Sequence, residues 1–203
     1  MLVKKQLFLI IALFISSLTF AQDQVAEGMQ HFEKADYKKA MLSFNKAIVE
    51  SKDNAVALHM RGRVKQILED YHGAMQDFNT AIKINSDNSQ YYFERGNVKY
   101  KLQDYYGAIS DYSAAIDKDV TYVDAYFKRG KAKQKLAAYK DAIHDCSKIL
   151  EIKADNRDAY SLRGILLIEY GEVEKGCLDL SKAGELGDMK AYELIKEKCN
   201  SKR

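Results

Sequence analysis

Five glycines, Gly28, Gly62, Gly96, Gly130 and Gly164, recur at one fixed interval without a slip. A period this strict constrains a chain more than its composition does, because each unit must fold alike and bury its apolar face on its neighbours. Twelve residues after each glycine stands a second small residue: Ala40, Ala74, Ala108, Ala142 and Gly176. Four further on is a large or apolar one, Phe44, Phe78, Tyr112, Cys146 or Leu180, and three beyond that Ala47, Ala81, Ala115, Ile149 or Ala183. Small residues at helical spacing let two helix backbones approach closely, and the larger residue fills the space beside them.

Each unit reads as two helices around a short break. Asp36-Tyr37, Asp70-Tyr71 and Asp104-Tyr105 mark that break. Asp53-Asn54, Asp87-Asn88 and Asp155-Asn156 mark the next, where Asp or Asn can cap the following helix. No strand-like alternation occurs, and the chain has no proline. The stripe Ala57, Val64, Leu68 recurs as Tyr91, Val98, Leu102 and as Ala125, Ala132, Leu136, so it is expected to pack between neighbouring units. Met189 to Lys198, with Ala191, Leu194 and Ile195 on one side, reads as an amphipathic helix covering the last unit.

Leu58-x-x-Arg61-Gly62, Tyr92-x-x-Arg95-Gly96, Tyr126-x-x-Arg129-Gly130 and Tyr160-x-x-Arg163-Gly164 resemble the opening of the tetratricopeptide repeat. The likeness covers about residues 22–190. It implies an all-α fold, a right-handed α-solenoid of antiparallel helix pairs. Five repeats would lie at 22–54, 55–88, 89–122, 123–156 and 157–190, with a capping helix and tail at 191–203. Two positions depart from the family pattern. Its closing proline is Lys52, Ser86, Val120, Ala154 and Asp188, and the tyrosine after its glycine is His31, Lys65, Lys99, Lys133 or Leu167. These departures bear on the pitch of the stack, not on the fold.

Residues 1–21 read as a secretory signal peptide. Lys4 and Lys5 precede fourteen uncharged residues, Leu7 to Phe20, too few for a span that needs about 20. Thr19-Phe20-Ala21 then offers small residues for cleavage after Ala21. The expected product is exported, periplasmic or secreted, without a stable membrane span. It keeps 30 Lys and Arg against 29 Asp and Glu, which excludes the clustered basic excess of a nucleic-acid binder.

Four units carry Arg before their glycine, Arg61, Arg95, Arg129 and Arg163, and Asp sixteen residues later, Asp77, Asp111, Asp145 and Asp179. The first has Glu27 and Ser43 instead, losing both together. Pairing each Asp with the Arg of the next unit leaves Arg61 and Asp179 alone. Pairing within units satisfies all four couples, so they are expected to clamp the two helices of each unit. Lys65, Lys99 and Lys133 form a second ladder, read as a solvated edge or a surface for an acidic partner.

No phosphate loop, CxxC or metal-ligand spacing is present; His31, His59, His72 and His144 are scattered. No enzyme, cofactor or metal site is expected. What the resemblance implies is a protein or peptide partner, held on the inner surface that the first helix of each repeat lines in this family. The stripe left after the packing faces are assigned supplies the candidate groove: His59, Arg63 and Gln66, then Phe93, Asn97, Tyr100 and Lys101, then Phe127, Lys131, Gln134 and Lys135. The aromatics would give contact area, while Asn97 and Gln134 would satisfy peptide amides. No three successive repeats carry the Lys and Asn set of the family's carboxylate clamps. The alternative function is an assembly subunit of a cell-envelope complex, contacted through the outer face or terminal repeats. Cys146 occupies an apolar slot and is expected to be buried and inert. Cys177 and Cys199 lie on helices that run antiparallel around Leu186-Gly187, close enough for a disulfide to be open to them.

Overall fold

A computed structural model describes residues 20–199, and every described element is a helix or a turn. Residues 1–19, most of the segment expected to be a signal peptide at 1–21, and residues 200–203 lie outside the described residues. The helices are α1 (described over 20–33), α2 (Tyr37–Glu50), α3 (Ala55–Ile67), α4 (Tyr71–Ile84), α5 (Ser89–Lys101), α6 (Tyr105–Lys118), α7 (Val123–Lys135), α8 (Tyr139–Ile152), α9 (Arg157–Tyr170), α10 (Val173–Glu185) and α11 (Met189–Lys198). Their order alternates first and second helices of successive pairs, α1 with α2 through α9 with α10, and α11 follows alone. Two compact units divide the chain, Met1–Val98 and Lys99–Arg203.

Local chemistry sets the helix ends. Side chains of Asp36, Asp70 and Asp104 accept from the backbone N–H three residues on, and Asn54 and Asn156 do the same for α3 and α9. Each satisfies a donor that has no partner inside its helix. Between the helices of a pair the chain turns through a left-handed residue, at Ala35, Glu69, Gln103 and Ala137 and then at Gly171. These five again stand one repeat apart, and only the last is the glycine that this conformation favours.

In the first unit Phe44, Val64, Ala40 and Met60 cluster with Met29 and Phe32. Phe78 fills the equivalent space with Ala74 and Val98, and Leu58, Ala81 and Tyr91 form a further layer. In the second unit Cys146 and Ala142 meet Leu162 and Leu166. Leu180, Ala183 and Ala191 close the other end under Leu194 and Ile195 of α11. Burial of each large side chain contributes roughly 1.5–3 kcal/mol. The expected packing stripe is buried at Ala57, Val64, Tyr91, Val98, Ala125 and Ala132. Leu68 and Leu102 depart from it: each follows the last helical turn, where the backbone has begun to leave the helix, and both are exposed.

The glycine period reflects close approach, and its strictness depends on what lies opposite. A Cβ built on Gly62 would meet the Phe78 ring at 2.7 Å. On Gly130, opposite the smaller Cys146, nothing comes nearer than 3.6 Å. Gly62→Ala should therefore destabilise by about 1–3 kcal/mol through overpacking. Gly130→Ala should stabilise by about 1 kcal/mol through helix propensity. Urea melts of the two variants would show shifts of opposite sign; equal shifts would sink the steric account.

Candidate functional site

Charged side chains stand inside the helix pairs, along the first helices and on the exposed sides of the second helices. Within the pairs, Arg61 donates from Nε and Nη2 to Asp77 at 2.9 and 2.6 Å, Arg129 to Asp145 at 3.0 and 2.7 Å, and Arg163 to Asp179 at 2.6 and 2.9 Å. These are bidentate guanidinium–carboxylate pairs between a first and a second helix, and their aspartates are buried.

The remaining guanidinium nitrogen, Nη1, reaches sixteen residues back to the preceding second helix. Arg61 donates to Asn45 at 2.8 Å, Arg95 to Asn79 at 2.7 Å, Arg129 to Ser113 at 2.9 Å and Arg163 to Ser147 at 3.1 Å. Arg61, Arg129 and Arg163 therefore each tie their own pair to the one before it. Arg95, Arg129 and Arg163 also lie over the rings of Tyr92, Tyr126 and Tyr160, at 5.6, 5.3 and 5.6 Å from the centroid. Asn45, Asn79, Ser113 and Ser147 carry the same period in the sequence, but their change from amide to hydroxyl hides a shared role as acceptors.

The lysine ladder is not a solvated edge. Lys65, Lys99 and Lys133 place Nζ 2.8 Å from Asp77, Asp111 and Asp145, with side chains mostly covered. A lysine stem can lie along apolar surface while its head pairs, and here the head turns inward because a buried carboxylate awaits it. Asp145, wholly buried, accepts from Arg129 and Lys133 together. Next to it, burial first and the Asp145 charge second push the Cys146 thiol up to about 12, so this free cysteine stays protonated and unreactive.

Along the first helices the groove residues part company. His59 is 4% exposed, tilted against the Tyr91 ring at 4.9 Å and the Phe78 ring at 5.9 Å, with no hydrogen-bond partner for Nε2 among the described residues. Burial, aided by the Arg63 charge, lowers its pKa to about 4. It is a core residue because its counterparts in the next two repeats are Phe93 and Phe127, which mark an apolar position.

Arg63 lies over the Phe32 ring at 4.8 Å and within 3.6 Å of Glu94. Asn97 donates to Glu94, and Gln134 to Glu169 at 3.1 Å, so both amides are engaged inside the protein. Phe127 packs on the Ala142, Cys146, Leu162 and Leu166 cluster, with Lys131 Nζ 5.8 Å from its ring. Tyr100 meets Tyr105 edge-on at 5.3 Å. Gln66 and Phe93 are partly buried, while Lys101, Lys131 and Lys135 are exposed. The face is thus a set of cations, some on aromatic rings, rather than a row of free aromatic anchors.

At the C-terminal end Cys177 and Cys199 are joined as a disulfide, with Cα atoms 6.0 Å apart, fastening the end of α11 to α10. Among the described residues no group of three His, Cys, Asp or Glu could hold a metal ion, and no helix is long and apolar enough to cross a membrane.

Residues 55–88 match the family model described as tetratricopeptide repeat, and residues 96–136 one described as TPR repeat. No curated protein matches the sequence. Solved structures similar to the chain include a MamA protein, 18% identical, covering 88% of this chain and 94% of its own at a TM-score of 0.74. YrrB, described as a TPR protein with an unusual peptide-binding site, is 20% identical over 86% of this chain and 90% of its own, with a TM-score of 0.73. PilF of Pseudomonas aeruginosa is 16% identical over 89% and 82%, with a TM-score of 0.77. At these identities the likeness is one of fold. The chain is an all-α protein of tetratricopeptide-repeat fold, and its segments 55–88 and 96–136 carry that repeat's sequence pattern.

Proposed function

We propose that the protein is a non-catalytic scaffold that binds a peptide or protein partner on the face lined by its first helices. Five repeats at 22–190 would work outside the cytoplasm after cleavage behind Ala21. A chain starting at Gln22 keeps the part of α1 that carries Gly28, Met29 and Phe32, so the first apolar cluster survives removal of the signal. The fold supports the reading because proteins of this architecture commonly serve protein–protein contacts, although fold alone names no partner. The observation that carries it is the outward cations on α7, Lys131 beside the Phe127 ring and Lys135 exposed one turn on. A partner segment with acidic residues and an apolar contact suits that surface.

Phe127 is unsuitable as a probe, since its loss would also open the cluster it packs on. Lys131→Glu with Lys135→Glu reverses two exposed charges and gives up only the Lys131 contact with the Phe127 ring. Affinity capture of the processed protein from envelope extracts should return a partner that this double variant loses at least tenfold, a difference of about 1.4 kcal/mol. Tyr106→Ser on α6, at an exposed second-helix position, should retain it. Loss with Tyr106→Ser and retention with the lysine pair would favour the assembly-subunit alternative.

A further inference from the structure

The clamp of arginine and lysine on one aspartate, seen at Asp77 and Asp145, is one donor short at Asp179 in the last helix pair. Lys65 and Lys133 do more than reach their aspartates: each also donates to the carbonyl four residues earlier, Gly73 and Asp141, at 3.3 Å. The counterpart position on α9 is Leu167, which has no donor. Both acceptors remain, since Asp179 and the carbonyl of Lys175 stand on α10 where Asp145 and Asp141 stand on α8. The Asp179 side chain keeps Arg163, yet it is 12% exposed against 5%, 4% and 0% for Asp77, Asp111 and Asp145.

A cavity of about 510 Å³ lies at this place, between α8 and α10 and over α9. Asp179 and Leu167 are its most buried lining residues, Ile143 is half-buried, and Tyr170 and Leu178 are exposed at its mouth. Two lysines border it: Lys140, and Lys175, which pairs with Glu172 at 2.7 Å.

We propose that this cleft receives the side chain of a lysine from a partner protein, whose ammonium completes on α10 the clamp that Lys133 completes on α8. The chain itself supplies the template, because three other helix pairs fill the same position with an ammonium on a four-carbon stem. Methylenes of the incoming side chain would lie along Leu167, Ile143 and Leu178, as lysine stems cover apolar surface. A guanidinium fits less well, since Arg163 already takes both carboxylate oxygens in its fork. Lys140 and Lys175 repel an isolated cation, which selects a lysine flanked by acidic residues. The site lies apart from the α7 face, and its outcome does not depend on that reading.

The probe is the peptide acetyl-Glu-Lys-Glu-amide, followed by methyl NMR of leucine-labelled protein. One ion pair with a short apolar stem corresponds to a Kd on the order of 1 mM. The peptide should move the Leu167 and Leu178 methyl signals, and its Nζ-acetylated form should not. Asp179→Asn should weaken binding at least tenfold. Leu167→Lys should abolish it by supplying the donor internally, and an otherwise unchanged methyl spectrum would show that the variant folds. Absence of binding at several millimolar, equal binding of the acetylated peptide, or equal binding by Asp179→Asn would overturn the proposal. Binding of n-pentylamine as tight as that of the peptide would also overturn it, assigning the cleft to small amines.

Discussion

Asp145→Ala should lower stability by roughly 3–5 kcal/mol, the scale set by removing one partner from a buried charge cluster. Asp145 is wholly buried and takes three hydrogen bonds, two from Arg129 and one from Lys133. Its removal leaves a guanidinium and an ammonium facing each other with no counter-charge and little water. The loss therefore exceeds that of the lysine–glutamate pairs on the surface. Lys148→Ala, which breaks an exposed contact with Glu151 at 2.7 Å, should cost less than about 1 kcal/mol.

Replacing Arg129, Lys133 and Asp145 together by leucines should recover most of the loss, because desolvation of the three charges is removed along with their attraction. What the triple variant lacks is register: apolar side chains do not dictate which carboxylate an arginine meets. Urea denaturation of the single and triple variants measures both effects. A single-variant loss below about 1 kcal/mol would show the cluster to be solvated after all.

Acid should destabilise the first unit through His59. An unfolded histidine titrates near 6.5, whereas in the fold the ring stays neutral down to about 4. The unfolded chain therefore binds the proton first. The His59 contribution is fully present above pH 6.5 and is lost as pH falls from 6.5 towards 4, reaching about 3 kcal/mol. Phe78 and Tyr91 flank the ring, and among the described residues the charge that acts on it is Arg63, which opposes protonation.

His59→Phe installs the residue found at positions 93 and 127. It should stabilise the protein at pH 7 by about 1–3 kcal/mol, since a buried nitrogen without a partner disappears. It should also flatten the stability curve between pH 6.5 and 4. Thermal melts of both proteins across that range test this, and parallel curves would contradict it.

The fold is legible in the sequence because its determinants are periodic and apolar, and such positions survive comparison with their counterparts one repeat away. The couples Arg61–Asp77, Arg129–Asp145 and Arg163–Asp179 are legible for the same reason: the first pair loses both members at once. Lys65, Lys99 and Lys133 mislead because a lysine on a helix is usually solvated. The signal lies in their company, since each has an aspartate twelve residues on, while His31 faces Ser43 in that spacing. His59 misleads until it is set beside Phe93 and Phe127. The left-handed turns at Ala35, Glu69, Gln103 and Ala137 carry residues that give no warning of a positive φ. Glu94 stands three residues before Asn97 on α5, a helical spacing that the sequence does show. Gln134, by contrast, looks available because its partner Glu169 lies far along the chain.

The arginines that reach sixteen residues forward and sixteen back also restrict how such a chain can change length. Loss or duplication of one whole repeat returns an arginine to an aspartate ahead and to an asparagine or serine behind, so the polar ladder closes over the join. A change of length inside a helix instead turns a guanidinium away from the residues that accept its hydrogen bonds. A gene carrying this ladder can therefore grow or shrink by whole repeats, while other changes of length are confined to the turns between helices, which gives its helices a fixed stride.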